Sequence, residues 1–472
     1  MRAAYDADAV RKAEAPLLAS LPDGTLMQRA ATALARRCAD LLERVYGARV
    51  VVLAGAGNNG GDALLAGEAL ARRGAHVDLV RTTDNVAVDS VAELLRGADL
   101  VIDGMLGIGG SGGLREPAAQ IAKTLAETEV LVVAVDVPSG VDASTGEVPG
   151  AAVRADVTVT FGALKTGLVV APGASYAGFV EVVDIGLTMP APDVTLLDAS
   201  DVADLLPALP DETDKYRRGV VGVVAGSDTY TGAAVLAVGG AIAGGAGMVR
   251  FAGVAHPAEL ARQRWPEAVV TAVAPGDADA LLAAGRVQAW VVGSGLGVGD
   301  DAATFVRAVL GTDLPVLLDA DAITIISDHR DWVTGRPAPT LLTPHVGEFA
   351  RLMGVEREEV EAHRLSHVRR AAAELGATVL LKGSTTLVSE PSGHVRINSA
   401  HTPFLATAGS GDVLSGLSGA LLAGGLSPLD AGSVGAFLHG LAGLIAADEP
   451  AAPISALDLV EHLPEAMRTI RR

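Results

Sequence analysis

The chain is 472 residues long, half of them hydrophobic and 19% charged, which describes a globular protein with length for two cores and not a disordered one. A net charge of −20 argues against nucleic acid or an anionic membrane surface as partner, because either needs a basic face. A small anion can still be held by backbone N–H groups. Cys38 is the single cysteine, so no intrachain disulfide forms and a reducing, cytoplasmic setting is expected.

In chain order, the start "MRAAYDADAVRKAEAPLL" lacks an uninterrupted apolar core, so no signal peptide is expected. Cys38 falls in "ATALARRCADLLERV", an amphipathic helix pattern that buries the thiol. Continuous apolar runs follow at Val50–Leu53, Val77–Val80, Leu100–Ile102, Leu131–Val135 and Val157–Thr160, with helix-like segments between the first four. Runs of this kind are strands of a parallel sheet covered by helices on both faces. "LTMPAPDVTLLDASDVADLLPALPDET", rich in Pro and Asp, reads as a junction. A boundary is placed there, near residues 195 to 210, giving domains 1–200 and 201–472. Gly232–Val249 carries no charge and approaches membrane-spanning length, but its Gly and Ala content and the following Arg250 favour a tightly packed internal helix, with no membrane partner. In this second half, strands are expected at Val220–Val224, Ala289–Val292, Val316–Leu318, Thr340–Thr343, Thr378–Leu381 and Thr385–Val388. The fold class is α/β, with two different α/β domains in series and a Rossmann-like parallel sheet in the first.

Gly55-Ala-Gly57-Asn-Asn-Gly60 follows the first strand and opens a helix, a spacing that turns the chain tightly and aims helix N–H groups at a pyrophosphate. The acidic residue that a dehydrogenase carries at the end of the next strand is missing, since Asp78 lies inside "HVDLV" and Arg81 closes it. The loop "AGNNGGD" instead offers Asn58, Asn59 and Asp62. These residues either grip polar groups of a ligand or form an Asn-Gly turn with Asp62 capping the helix. Two later strands end in Asp103, before the glycine-rich loop 107–113, and in Asp136, before Pro138-Ser139-Gly140. Loops at the carboxyl ends of strands in an open sheet converge on one crevice.

"AGNNGGD", "IDGMLGIGGSGG", "DVPSGVDASTGEV" and "TFGALKTGL" together resemble the YjeF N-terminal domain, the NAD(P)H-hydrate epimerase family. The resemblance implies that the crevice takes a hydrated nicotinamide dinucleotide as substrate and not NAD as hydride carrier. It implies substrate contacts from Asn58, Asn59, Gly60, Gly61 and Asp62, and from Gly107, Ile108, Gly109, Gly110, Ser111, Gly112 and Gly113. It further implies a potassium ion on Asn59, Asp103 and Ser139, and Asp136 as catalytic acid/base. An oxygen-only ligand set suits a hard cation. Lys165 is a charge partner for phosphate or for Asp136, or an ordinary exposed lysine. Gln28 and Ala31 depart from the family's usual acidic or Asn residue and Gly.

In the second half, "TAGSGDVLSGLSGALLAGG" leads a glycine loop into a helix with Asp412 in its first turn. N–H groups of Gly409, Ser410 and Gly411 are suited to hold a transferring phosphoryl group, and Asp412 to take a proton from an attacking hydroxyl. Asp412 as a plain helix cap is the alternative. "LLKGSTTLVS" puts Lys382 beside a glycine at a strand end, and "LLTPHVGEFARL" puts His345 at the opening of a helix. Asp319 and Asp321 end another strand, and Lys215, Arg217 and Arg218 form a local basic cluster.

From about Asp214 to Gly425 these segments resemble the YjeF C-terminal domain, the ADP/ATP-dependent NAD(P)H-hydrate dehydratase, of the ribokinase-like superfamily. That implies adenine-nucleotide contacts from Lys382, Gly383, Ser384, Thr385 and Thr386 and from 402–411, including Gly409, Ser410 and Gly411. It implies substrate contacts from Gly297, His345 and Asp412. Ser410 replaces the usual Thr, and Val346 the frequent Pro. The two resemblances imply an enzyme that epimerises NADHX and NADPHX and dehydrates one epimer with ADP and Mg²⁺, as a homo-oligomer. A ribokinase-type vitamin-precursor kinase with a regulatory N-terminal domain, or with a catalytically silent one, is the competing expectation.

Overall fold

The computed structural model describes residues 1–84, 88–110, 112–207, 214–399, 402–448 and 452–471. The chain divides into two compact units. One comprises Ala3–Val194 with Glu361–Arg364, and the other Met1–Arg2, Thr195–Val360 and Leu365–Arg472. The Pro-rich stretch near the division is more regular than its composition suggests. It holds a strand, Val194–Leu196, and a helix, Ala199–Leu205, opened by a capping box between Asp198 and Asp201.

The first unit is built on a six-stranded parallel sheet in the order His76–Arg81, Arg49–Ala54, Leu100–Gly104, Leu131–Val135, Val157–Phe161, Phe179–Val183. Along Arg49–Ala54 the residues alternate between two cores. Val50, Val52 and Ala54 join Leu34, Cys38 and Leu70, while Val51 and Leu53 join Val91, Leu95, Ile121 and Leu125. Both pleat faces are therefore buried under helices, which is why the strand reads as an uninterrupted apolar run. Cys38 lies fully buried in the helix Thr25–Leu41, and burial pushes its thiol up to about 12. Chain order reverses between Arg49–Ala54 and Leu100–Gly104, and the loops leaving these two strands open the crevice of such a sheet.

The second unit carries seven parallel strands in the order Val269–Ala272, Met248–Gly253, Val220–Val224, Ala289–Val292, Val316–Leu318, Thr340–Leu342, Thr378–Leu381. Thr386–Ser389 and Val395–Asn398 continue the sheet antiparallel. The stretch Gly232–Val249 is not one helix. The helix Thr231–Ala243 stops at Gly244–Gly245, where Gly245 turns left-handed (φ 89°), and Met248 begins a strand. This helix packs on Ser410–Ala423 through glycines: a Cβ on Gly240 would strike the Val413 carbonyl, and one on Gly416 the Ala237 carbonyl. Close helix packing, not membrane insertion, accounts for the Gly/Ala content. Among the described residues one helix, Pro428–Ala447, is long and apolar enough to cross a membrane. Of its apolar window 67% is buried inside the protein, packed against the helices Ser410–Ala423 and Ala456–Ile470.

Candidate functional site

In the first unit, a cavity of about 640 Å³ opens where the expected loops meet. Gly57, Asn58, Asn59 and Asp62 line it from the first loop, Met105 to Gly110 from the second, and Asp136 from the third. Gly112 and Gly113 do not line it, and Ser111 lies outside the described residues. Gly60 and Gly61 act as packing positions, because a Cβ on Gly60 would strike the Gly55 carbonyl and one on Gly61 the Met27 side chain. The opposite wall comes from two N-terminal helices through Arg11, Glu14, Leu18, Thr25 and Met27. The sequence reading missed this wall, since its residues follow ordinary amphipathic helices.

Asp136 follows the strand Leu131–Val135 with φ 66°, a left-handed conformation that a non-glycine residue adopts only when its surroundings enforce it. Its Oδ1 accepts from Lys165 Nζ (2.5 Å), Thr160 Oγ1 (3.1 Å) and the Phe161 N–H (3.2 Å), which leaves Oδ2 for a ligand. Lys165 is 1% exposed and also donates to the Phe161 carbonyl at 2.7 Å. Pairing of Ala4 and Tyr5 with Leu164 and Lys165 fixes its backbone. Lys165 is therefore the charge partner of Asp136 and does not reach the cavity surface.

Asp62 is not a helix cap. The helix Asn58–Arg72 is capped at Gly57, and Asp62 sits a turn further in, 8% exposed, with Oδ1 buried and unpartnered. Burial, then the charges of Asp136 and Glu14, push its carboxyl up to about 7. Below the cavity, fully buried Asp103 accepts from Ser139 Oγ (2.6 Å) and the Ser139 N–H (2.8 Å), and Ser139 Oγ accepts from the Leu106 N–H (2.8 Å). These bonds stitch the second loop to the third. Burial nevertheless pushes Asp103 up to about 6 against the pull of the Ser139 bonds. The Nδ2 of Asn59 is buried without a partner. A buried carboxylate that lacks a cationic partner, beside a hydroxyl and an unsatisfied amide, is a donor set that fits a monovalent cation.

In the second unit, the helix Ser410–Ala423 starts from Gly409 in the left-handed region (φ 87°). One expectation is corrected here: the Ser410 N–H turns back to the Thr407 carbonyl (3.3 Å). The free first-turn donors are therefore those of Gly411 and Asp412. Burial, then the charge of Asp319, push Asp412 up to about 7, while Lys382 and a Ser294 hydrogen bond pull the other way. Asp319, 1% exposed, accepts from Lys382 Nζ (2.9 Å), Thr343 Oγ1 (2.9 Å) and Ser294 Oγ (3.2 Å). Burial raises its carboxyl, but the charge of Lys382 and hydrogen bonds with Lys382, Ser415 and Thr343 outweigh burial and hold it below the usual range. Lys382 is thus no exposed hairpin lysine. It lies on Asp319, 4.0 Å from Glu348, and close to Gly411.

His345 caps the helix Val346–Met353. Its Nδ1 accepts from the N–H groups of Gly347 (2.9 Å) and Glu348 (3.2 Å), and its own N–H donates to Glu348 Oε2 (2.8 Å). That bonding places the ring proton on Nε2, which lies 3.3 Å from Glu348 Oε1. Gly297 donates its N–H to Asp321 Oδ2 (2.8 Å) in a loop that is left-handed at φ 84°. Gly383 and Ser384 are exposed, Thr385 is buried, and Thr386 opens the return strand. Ser294, Thr343, Ser415 and Glu348, which surround the Asp319–Lys382 pair, were not anticipated; "VVGSGLGVG" and "LLTPH" held the first two in plain sight.

A Rossmann-like unit with a cavity-lining carboxylate, followed by an α/β unit with a carboxylate in the first turn of a glycine-led helix, is the frame of a two-site enzyme. Residues 23–167 match the family model described as YjeF-related protein N-terminus, and residues 221–465 the one described as NAD(P)H-hydrate dehydratase. The bifunctional NAD(P)H-hydrate repair enzyme Nnr of Mycobacterium tuberculosis is 50% identical over 90% of both chains, and that of Mycobacterium leprae 47% identical over the whole of both. Among solved structures, the ADP/ATP-dependent NAD(P)H-hydrate dehydratase from Bacillus subtilis, co-crystallized with ATP/Mg²⁺, matches with a TM-score of 0.53 and 29% identity. That match covers 59% of this chain and 100% of the other. The chain belongs to the bifunctional NAD(P)H-hydrate repair enzyme family.

Proposed function

We infer that this protein repairs hydrated NADH and NADPH in two reactions, epimerisation in residues 1–200 and nucleoside-phosphate-dependent dehydration in residues 201–472. The observation that carries this reading is the coexistence in one chain of a cavity carboxylate pinned through one oxygen, Asp136, and a carboxylate at a phosphate-type helix end, Asp412.

In the first site, Asp136 Oδ2 takes the proton of the C6 hydroxyl as the C6–N1 bond opens to an aldehyde, and returns it to the C6 oxygen as N1 closes on the opposite face, while Lys165 fixes the carboxylate from behind. Asn59, Asp103 and Ser139 would hold potassium, which would supply positive charge beside the buried Asp103. In the second, Asp412 takes the proton of the C6 hydroxyl as that hydroxyl's oxygen receives the β-phosphoryl group of ADP, our choice over ATP, and the bond from the β-phosphorus to the bridging oxygen breaks to release AMP. The N–H groups of Gly411 and Asp412 stabilise the charge on the phosphoryl oxygens. Cleavage of the C6–O bond then releases phosphate, and loss of the C5 proton restores the ring double bond. Activation is needed because hydroxide leaves poorly at neutral pH. Mg²⁺ bound with the nucleotide would neutralise phosphate charge. The same reading makes the protein a cytoplasmic homo-oligomer.

The test is to give the purified chain NADHX with ADP or ATP, following NADH absorbance and phosphate release. Nucleotide-dependent appearance of NADH from both epimers supports the reading. Untouched NADHX, with consumption of a vitamin alcohol instead, sinks it in favour of a kinase.

A further inference from the structure

The helix Pro428–Ala447 is apolar throughout except for a few polar residues, and His439 lies near its middle, 8% exposed. Its Nε2 is 2.9 Å from the carbonyl oxygen of Ser410. A carbonyl only accepts, so His439 must carry its proton on Nε2 and donate. Burial holds the ring well below its usual range, at about 4, so at neutral pH it is an uncharged donor. Nothing in either proposed reaction uses this imidazole.

The peptide unit it holds is the informative part. The Ser410 carbonyl and the Gly411 N–H belong to one planar trans amide, so they point in opposite directions. Anchoring the carbonyl backwards on His439 therefore aims the Gly411 N–H forwards, out of the helix end. A hydrogen bond to the carbonyl also polarises the amide and strengthens its N–H as a donor. Other contacts hold the same turn: Ser410 Oγ donates to the Leu405 carbonyl (2.8 Å), and Ser415 Oγ to the Gly411 carbonyl (2.9 Å). We propose that His439 is a positioning residue for dehydration: through the Ser410–Gly411 peptide it sets the direction and strength of the N–H that receives the transferring phosphoryl group. The inference rests on the nucleotide site proposed above.

The experiment compares His439→Gln, whose amide nitrogen can stand where Nε2 stood, with His439→Asn, whose shorter amide cannot reach, in the full chain. In His439→Asn, kcat for dehydration should fall by about 10-fold to 100-fold, the scale of weakening one oxyanion donor. Binding of AMP with aluminium fluoride, a mimic of the β-phosphoryl group in transfer from ADP, should weaken far more than binding of AMP alone. Epimerisation should persist, and His439→Gln should recover most of kcat. Equal kcat in wild type and His439→Asn within about twofold, or equal loss in both variants, overturns the inference. A wild-type chain that shows no nucleotide-dependent dehydration overturns the underlying reading instead.

Discussion

Replacing Asp412 with Asn should make the protein more stable and dehydration-dead, and both effects follow from one carboxyl. In the folded chain this group ionises near 7 where an unburied aspartate ionises at 3.8, chiefly through burial and then the charge of Asp319. As pH rises from about 4 to about 7 the unfolded chain gives up this proton first, so rising pH favours unfolding across that window and has no further effect above it. About three pH units at about 1.4 kcal/mol each set a ceiling of roughly 4 kcal/mol. Solvent reaches part of the carboxyl, so about 1–2 kcal/mol is expected to be measurable, or about 3–6 °C in Tm. Thermal melts of wild type and Asp412→Asn should coincide near pH 4 and diverge to this extent, variant higher, by pH 8. Dehydration by the variant should fall by about 10²-fold to 10⁴-fold with epimerisation intact. A variant less stable at pH 8, or a difference that does not change with pH, refutes the reasoning about this carboxyl.

Wild-type dehydration should rise with pH to a plateau, with its midpoint near the ionisation of Asp412 at about 7, when initial rates are measured across pH. Asp136→Asn should stall epimer exchange, so that with ADP only one epimer is consumed and the other persists by chromatography. Lys165→Met strands a buried carboxylate and should lower stability by about 3–5 kcal/mol in urea, with part regained on adding Asp136→Asn. Exchanging K⁺ for Li⁺ should slow epimerisation, and Asp103→Asn should remove that cation dependence.

The parallel strands were legible because both of their faces are buried: Val50–Leu53 and Leu131–Val135 could only be apolar runs. Three of the strands that escaped notice are of another kind. Phe179–Val183 and Val269–Ala272 lie at sheet edges with partly exposed residues, and Met248–Gly253 is broken by Arg250, which reaches out to the Ala284 carbonyl. Asp62 could have been a cap or a ligand-facing residue, and sequence could not decide between them. The decision lay in the extended backbone of Gly57 (φ −89°, ψ −173°), which starts the helix before Asn58. Strand-end carboxylates were readable because glycine loops mark where strands stop. Glu14 on the cavity wall and His439 behind the phosphate loop were not, because a polar residue within a helix carries no sign of what lies opposite it.

The way the C6 hydroxyl leaves separates phosphoryl activation from direct loss of water. NADHX labelled with ¹⁸O in that hydroxyl, turned over with unlabelled ADP, should deliver the label into inorganic phosphate, since the oxygen accepts the phosphoryl group before its bond to C6 breaks. Label recovered in water, with unlabelled phosphate, would mean that the hydroxyl departs without being phosphorylated and would contradict the role given to Asp412 and its helix.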